Sequence, residues 1–219
     1  MILREATEAM RRRGEKALVP FFTAGFPDED TSLRLLQTAA RAGCHVIEIG
    51  IPFSDPIADG PLIQASSEQA LANGMSLEKA LGLAEQAGRE CSAALVLMSY
   101  VNPLLRIGLE RFGKRARKAG VSGVIIPDVP FEESGEIRAT LGRSEITLVD
   151  LVAPTSDGER LERIAHSAEG FLYLVSVTGV TGVRSELAPD LGDFVGRVRA
   201  HTELPLYVGF GVSDAAQAK

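Results

Sequence analysis

Apolar residues in this chain recur in two alternating rhythms. Short, nearly continuous runs rich in Val, Ile and Leu give way to longer stretches with an apolar residue every three or four positions. The first rhythm predicts strands buried on both faces, and the second predicts amphipathic helices. Residues 2–12 open as a helix with Ile2, Leu3, Ala6, Ala9 and Met10 on one side. A strand over 17–24 follows, closed by Gly25 and Pro27. Asp28 or Asp30 then caps a helix reaching Ala42, where Gly43 stops it. Val46 starts the second strand. Asp59 or Gly60 caps a helix over 61–72, proline being favoured at a helix start. Asn73-Gly74 breaks it, and Ser76 opens another helix to Arg89. Strands over 94–100, 123–127, 146–152, 170–177 and 206–209 alternate with helices over 109–119, 132–141, 157–168 and 189–201, and Ser213 caps a last helix.

Strict alternation of strand and helix predicts a parallel sheet, because parallel neighbours need a helical crossover. An open doubly wound sheet usually carries Gly-x-Gly-x-x-Gly after its first strand. Here that position reads Thr23-Ala-Gly-Phe-Pro27. The glycines cluster late instead, in Thr178-Gly-Val-Thr-Gly182 and Gly209-Phe-Gly211. Late loops build the phosphate sites of (β/α)8 barrels. The expected fold is therefore α/β: a (β/α)8 TIM barrel with seven of the eight βα units in this chain, as a single domain over residues 1–219.

One carboxylate breaks the apolar rule. Glu48 stands in the middle of the strand Val46-Ile-Glu-Ile-Gly50. Taking a lone charge out of water costs several kcal/mol, so Glu48 needs a partner, a raised pKa or a use. Two readings stand: an ion pair with a Lys or Arg inside the barrel, or a group that shuttles a proton. The loop that follows is stiffened by Pro52, Pro56 and Pro61 and carries Asp55 and Asp59. Asp59 either caps the helix at Pro61 or stays ionised and stabilises positive charge in a shared cavity. A magnesium site from Glu48, Asp55 and Asp59 is the rival, disfavoured by the proline-fixed turns between the acids. The late glycine loops offer backbone N–H groups suited to phosphate oxygens. Tyr100, Asn102, Asp128 and Tyr173 fall at or near strand ends, where they face the site or close a loop.

Composition narrows the partners. A net charge of −6 argues against nucleic acid and anionic membranes. No apolar run approaches a membrane span, and no signal-peptide core follows Met1. Arg11, Arg12 and Arg13 read as a solvated helix face, since Glu5 and Glu8 do not suit a transit peptide. Cys44 and Cys91 have no metal or redox spacing and read as reduced thiols of a cytoplasmic protein. His45, His166 and His201 are scattered without a motif and read as structural.

The run Ile47-Glu-Ile-Gly-Ile-Pro-Phe-Ser-Asp-Pro-Ile-Ala-Asp-Gly60 resembles the signature of the tryptophan synthase α subunit family. Pro20-Phe-Phe-Thr-Ala-Gly-Phe-Pro27, Val124-Ile-Ile-Pro-Asp-Val-Pro130, Ser176-Val-Thr-Gly-Val-Thr-Gly182 and Gly209-Phe-Gly211 resemble the same family in the expected order. The resemblance implies a barrel lyase of tryptophan biosynthesis. It would cleave indole-3-glycerol phosphate to indole and glyceraldehyde 3-phosphate by a retro-aldol reaction. Glu48 would be the acid–base that protonates indole C3, and Asp59 would stabilise charge at the indole N–H. Tyr173 would lie beside them. Phe21, Met98, Ile125 and Phe210 would form the indole pocket, with Tyr100 and Thr181 also binding substrate and Gly182 and Gly211 holding the phosphate.

By the same resemblance no metal or cofactor is needed in this subunit. The partner would be a pyridoxal-phosphate β subunit in an α2β2 heterotetramer, receiving indole through a tunnel. Loops 55–60 and 178–186 would communicate with it. Family members continue past Gly211 into an eighth strand and a Gly-Ser turn, so this chain is expected to be a truncated or incomplete barrel. Two alternatives follow: a chain that mainly binds and activates a β subunit, and another phosphate-binding barrel, such as an isomerase.

Overall fold

A computed structural model describes residues 3–14, 16–89, 92–175 and 190–209. In chain order the elements are α1 (Leu3–Arg13), β1 (Phe21–Thr23), α2 (Glu29–Arg41), β2 (Val46–Gly50), α3 (Pro61–Ala72), α4 (Leu77–Gly88), β3 (Ala94–Met98), α5 (Val101–Ile107), α6 (Leu109–Lys118), β4 (Val121–Ile125), α7 (Gly135–Gly142), β5 (Thr147–Val152), α8 (Gly158–Ser167), β6 (Leu172–Val175), α9 (Leu191–Arg199) and β7 (Leu206–Gly209). The described strands form one parallel sheet of seven, each paired with the next in sequence.

The sheet curls into a barrel wall, and α1 shows why it must. Arg13 reaches the His45 ring at 3.3 Å, at the entry to β2. Two residues earlier, Arg11 reaches Glu203 at 3.5 Å, before β7. In a flat sheet those strands would lie about 24 Å apart, at about 4.8 Å per strand. One helix end spans both only if the sheet bends around it. Leu3 and Ala6 of α1 join Val46, Val96, Ile125, Val149 and Tyr173 in the interior cluster, so α1 closes the amino end of the barrel. The other sheet face packs Ile47, Leu95, Leu97, Val124 and Leu148 against the helices. Successive strand residues point to opposite faces, so both rhythms of apolar residues are used.

Local departures from the sequence pattern have local causes. Thr7 rather than Ala9 is buried on α1, because its hydroxyl donates to the Gly170 carbonyl at 3.0 Å. The first strand is shorter than 17–24. Pro20 lacks an N–H, and β1 pairs only with β2 among the described residues. The fourth strand begins at Val121, two residues early, because Gly120, at φ +79°, ends the preceding helix abruptly. Helix α5 was absent from the pattern. Pro103 reads as a breaker, yet it sits in the first turn, where its missing N–H costs nothing. The helix expected over 132–141 is split, because the Ser134 hydroxyl donates to the Phe131 carbonyl at 2.7 Å and holds a separate 3-10 turn over Phe131–Glu133. The helix expected at Ser213 lies outside the described residues.

β1 and β7 each keep one unpaired edge among the described strands, and every residue of β7 is only half buried. A chain extended by an eighth βα unit should therefore melt about 5 °C or more above the 219-residue chain, from paired backbone and dried apolar surface. Thermal unfolding of the two lengths followed by circular dichroism checks this. Equal melting temperatures would show that the seven-strand wall gains nothing from closure.

Candidate active site

The carboxyl ends of β1 to β4 and β6 bring the predicted residues to one face. Phe21 of β1 is in register with Glu48 of β2, and Glu48 with Val96 of β3. Met98 of β3 is in register with Gly50 on one side and Ile125 of β4 on the other. Glu48 shares the inward face with Val46 and Gly50, being two residues from each. The Phe21 ring lies where a Cβ on Gly50 would stand, so this glycine makes room for the aromatic. Gly209 does the same for Tyr173, whose hydroxyl would collide with any side chain there.

Glu48 is 4% exposed, and no ion pair to it occurs among the described residues. The ion-pair reading is therefore unsupported. Burial alone pushes its carboxyl up to about 8. The Tyr173 hydroxyl is held well above the usual phenol range by burial and by the nearby Glu48 charge, which places the two side chains together. At neutral pH Glu48 keeps its proton and can give it up, as a general acid must.

Asp59 occupies a different environment. The cap of α3 is Gly60, with no side-chain hydrogen bond, so the Asp59 carboxylate is not spent on capping. Its backbone carbonyl accepts from Gln64 Nε2 at 2.9 Å. Partial burial raises its pKa, and a hydrogen bond with the Tyr100 hydroxyl opposes the rise. Neither carboxylate counts among the causes acting on the other. Asp59 lines a small cavity of about 20 Å³ with Phe21, Thr23, Met98, Ser99 and Tyr100, and Glu48 is not part of its wall. Asp55 stands on the exposed part of the loop, accepting from the Ser54 hydroxyl at 2.5 Å. Among the described residues, no three His, Cys, Asp or Glu side chains come together at a metal-holding distance, so the three-acid magnesium arrangement does not assemble.

Of the remaining candidates, Asp128 closes a loop: its carboxylate accepts from the Val101 N–H at 3.0 and 3.2 Å. Asn102 lies in α5. Thr181, Gly182, Phe210 and Gly211 lie outside the described residues. The sequence reading missed the hydroxyls around the cavity, those of Thr23, Ser67 and Ser99, of which Thr23 is also paired with Ser66 of α3 at 2.7 Å. The available signal was parity, since Thr23 is two residues beyond the inward Phe21.

A family model described as Tryptophan synthase alpha chain matches residues 7–219. The tryptophan synthase alpha chain of Geotalea daltonii is 47% identical over 209 residues, covering 95% of this chain and 79% of the relative. That of Picosynechococcus sp. is 43% identical over 215 residues, covering 98% and 81%. Among solved structures, Mycobacterium tuberculosis tryptophan synthase superposes with a TM-score of 0.89 at 36% identity, covering 98% of this chain and 82% of that one. A chain of the tryptophan synthase α2β2 complex from Pyrococcus furiosus gives 0.85 at 38% identity, covering 92% and 81%.

The raised Glu48 pKa sets a pH dependence of stability. The folded carboxyl holds its proton up to about pH 8, while the unfolded one loses it near its ordinary value of 4.5. Stability therefore falls as pH rises between those values. Glu48→Gln should remove that slope and gain up to about 5 kcal/mol over the wild type at pH 8 and above, with the advantage vanishing near pH 4. Urea unfolding of both proteins at several pH values measures it. Parallel curves would mean that the folded carboxyl titrates normally.

Proposed function

Because this chain belongs to the tryptophan synthase α chain family, we infer that it is the lyase that cleaves indole-3-glycerol phosphate to indole and glyceraldehyde 3-phosphate in tryptophan biosynthesis. The observation that carries the mechanism is the contrast between two acids at one barrel mouth: Glu48 proton-bearing by burial, and Asp59 half-buried with a hydroxyl donor. Glu48 protonates C3 of the indole ring, and the positive charge that develops at the ring N–H is stabilised by the Asp59 carboxylate. The side-chain hydroxyl next to the scissile bond then loses its proton to the Glu48 carboxylate. The C–C bond breaks, its electron pair restores the aromatic ring, and the aldehyde forms. Glu48 ends protonated, as it began.

Phe21, Met98 and Ile125 supply apolar walls for the indole, with Tyr173 beside Glu48 and Tyr100 beside Asp59. Thr181 and Gly182 belong to the phosphate end with Gly211, and Phe210 to the ring end. The cavity beside Asp59, of about 20 Å³, is large enough for a water and not for a bicyclic ring. The chemistry needs only proton transfer and charge stabilisation, so this subunit works without metal or cofactor, and pyridoxal phosphate belongs to the partner. That partner is a β subunit in an α2β2 assembly, a reading supported by the α2β2 complex among the structural relatives. A biosynthetic lyase of this family is read as cytoplasmic; among the described residues no helix is long and apolar enough to cross a membrane.

Indole release from indole-3-glycerol phosphate, with and without added β subunit, tests the reaction. Glu48→Gln should lower turnover by roughly 10² to 10⁴ while leaving substrate binding nearly intact. A variant retaining more than about a tenth of wild-type turnover would remove Glu48 from the proton-transfer role. Asp59→Asn should also lower turnover, and unchanged turnover there would leave the loop carboxylate without a part in the chemistry.

A further inference from the structure

The position of the Asp59 carboxylate has a specific cause. Asp59 ends a loop stiffened by prolines, but prolines fix the backbone and not a side chain. The contact that orients the carboxylate comes from the residue that caps α5, two beyond the end of β3: the Tyr100 hydroxyl hydrogen-bonds Asp59, beside it in the wall of the small cavity, and also accepts from the Ala58 N–H at 2.9 Å. Each bond uses a different capacity of the same oxygen, since a phenol can donate one proton and accept another. Tyr100 itself is held from three sides. It is 5% exposed, its ring packs against Phe53 at 5.4 Å between centroids, and the next backbone N–H, that of Val101, is fixed by the Asp128 carboxylate. Both Phe53 and Ala58 belong to the loop that carries Asp59.

We propose that Tyr100 is a positioning residue: it anchors the 53–59 loop by Phe53 and Ala58 and presents the Asp59 carboxylate, ionised and aimed, to the ring nitrogen of the substrate. This rests on the reaction assigned above and adds a residue that acts through Asp59. Among the described residues, the charged groups around the pair are few. Asp128, in the loop after β4, bears on Tyr100, while Glu48 of β2 bears on Tyr173 of β6 and is not among the causes acting on Tyr100 or Asp59. Losing the phenol proton donor therefore leaves burial to act on Asp59 unopposed, and the carboxyl must titrate higher.

The test is Tyr100→Phe, which keeps the ring against Phe53. The Asp59 carboxyl is followed by ¹³C NMR over pH in the full chain, its signal assigned by its loss in Asp59→Asn. The proposal expects the titration midpoint to move up in Tyr100→Phe. It also expects turnover at neutral pH to fall by about tenfold or more, tenfold being the low end of the worth of a hydrogen bond to a charged group, with KM changed less than about twofold. The acid limb of the pH profile should move up with the midpoint. Combined with Asp59→Asn, Tyr100→Phe should cost little more than Asp59→Asn alone. An unmoved midpoint, additive losses, or a raised KM at unchanged turnover would overturn it, making Tyr100 a packing group or a substrate contact. A wild-type chain that releases no indole while the midpoint still moves would sink the reaction and leave the positioning intact.

Discussion

The structure depends on one costly burial: a carboxyl group held inside an apolar barrel, with no cation beside it among the described residues. Glu48 stands among Val46, Val96, Ile125 and Tyr173 in the barrel interior, where the low polarity favours its protonated form. Everything that keeps the interior dry sustains that state. Helix α1 closes the amino end with Leu3 and Ala6, and its Thr7 is tied to the Gly170 carbonyl before β6. A wetter interior would let Glu48 ionise and return it to an ordinary carboxylate. Stability given up at this position is thus linked to the acidity that the proposed chemistry uses.

The second carboxylate is governed by different physics. Asp59 lies on a loop, where partial burial raises its pKa and the Tyr100 hydroxyl partly opposes the rise. Gly60 caps α3 without a side-chain hydrogen bond, and Pro61 starts the helix without needing an N–H partner, so the Asp59 carboxylate is not drawn into capping. The two acids are held apart in environment even though they arise eleven positions apart in one motif. Separation of this kind lets one fold keep a proton-bearing acid beside an ionised one.

Much of this was legible in the chain. The alternation of buried runs and amphipathic stretches marks seven strands in their right order, and the isolated Glu48 in an apolar run announces its own peculiarity. Helix starts with short polar caps were readable too: Asp28, Ser76 and Asp157 each accept a backbone N–H three residues on. What the chain could not disclose depends on contacts between distant positions. Nothing near Tyr100 in sequence says that its hydroxyl meets Ala58, and nothing near Asp128 says that it serves the Val101 N–H. Helix α5 was hidden because Pro103 acts as a breaker or an initiator according to its place in the turn, which sequence alone leaves open. The resemblance to a known family supplied roles, and the buried run around Glu48 against the proline-rich loop around Asp59 already implied which acid lies deeper.

The two glycines beneath aromatic rings have a consequence for how this barrel can vary. Gly50 under Phe21 and Gly209 under Tyr173 are each half of a volume shared across neighbouring strands. Neither half can change alone: a methyl group on the glycine displaces the ring, and a smaller ring leaves a hole. The viable exchanges are reciprocal, with bulk moving from one strand to the other. Substrate shape in this barrel is therefore set by pairs of positions, and a search for altered ring specificity has to move through coupled substitutions at 21 with 50 and at 173 with 209.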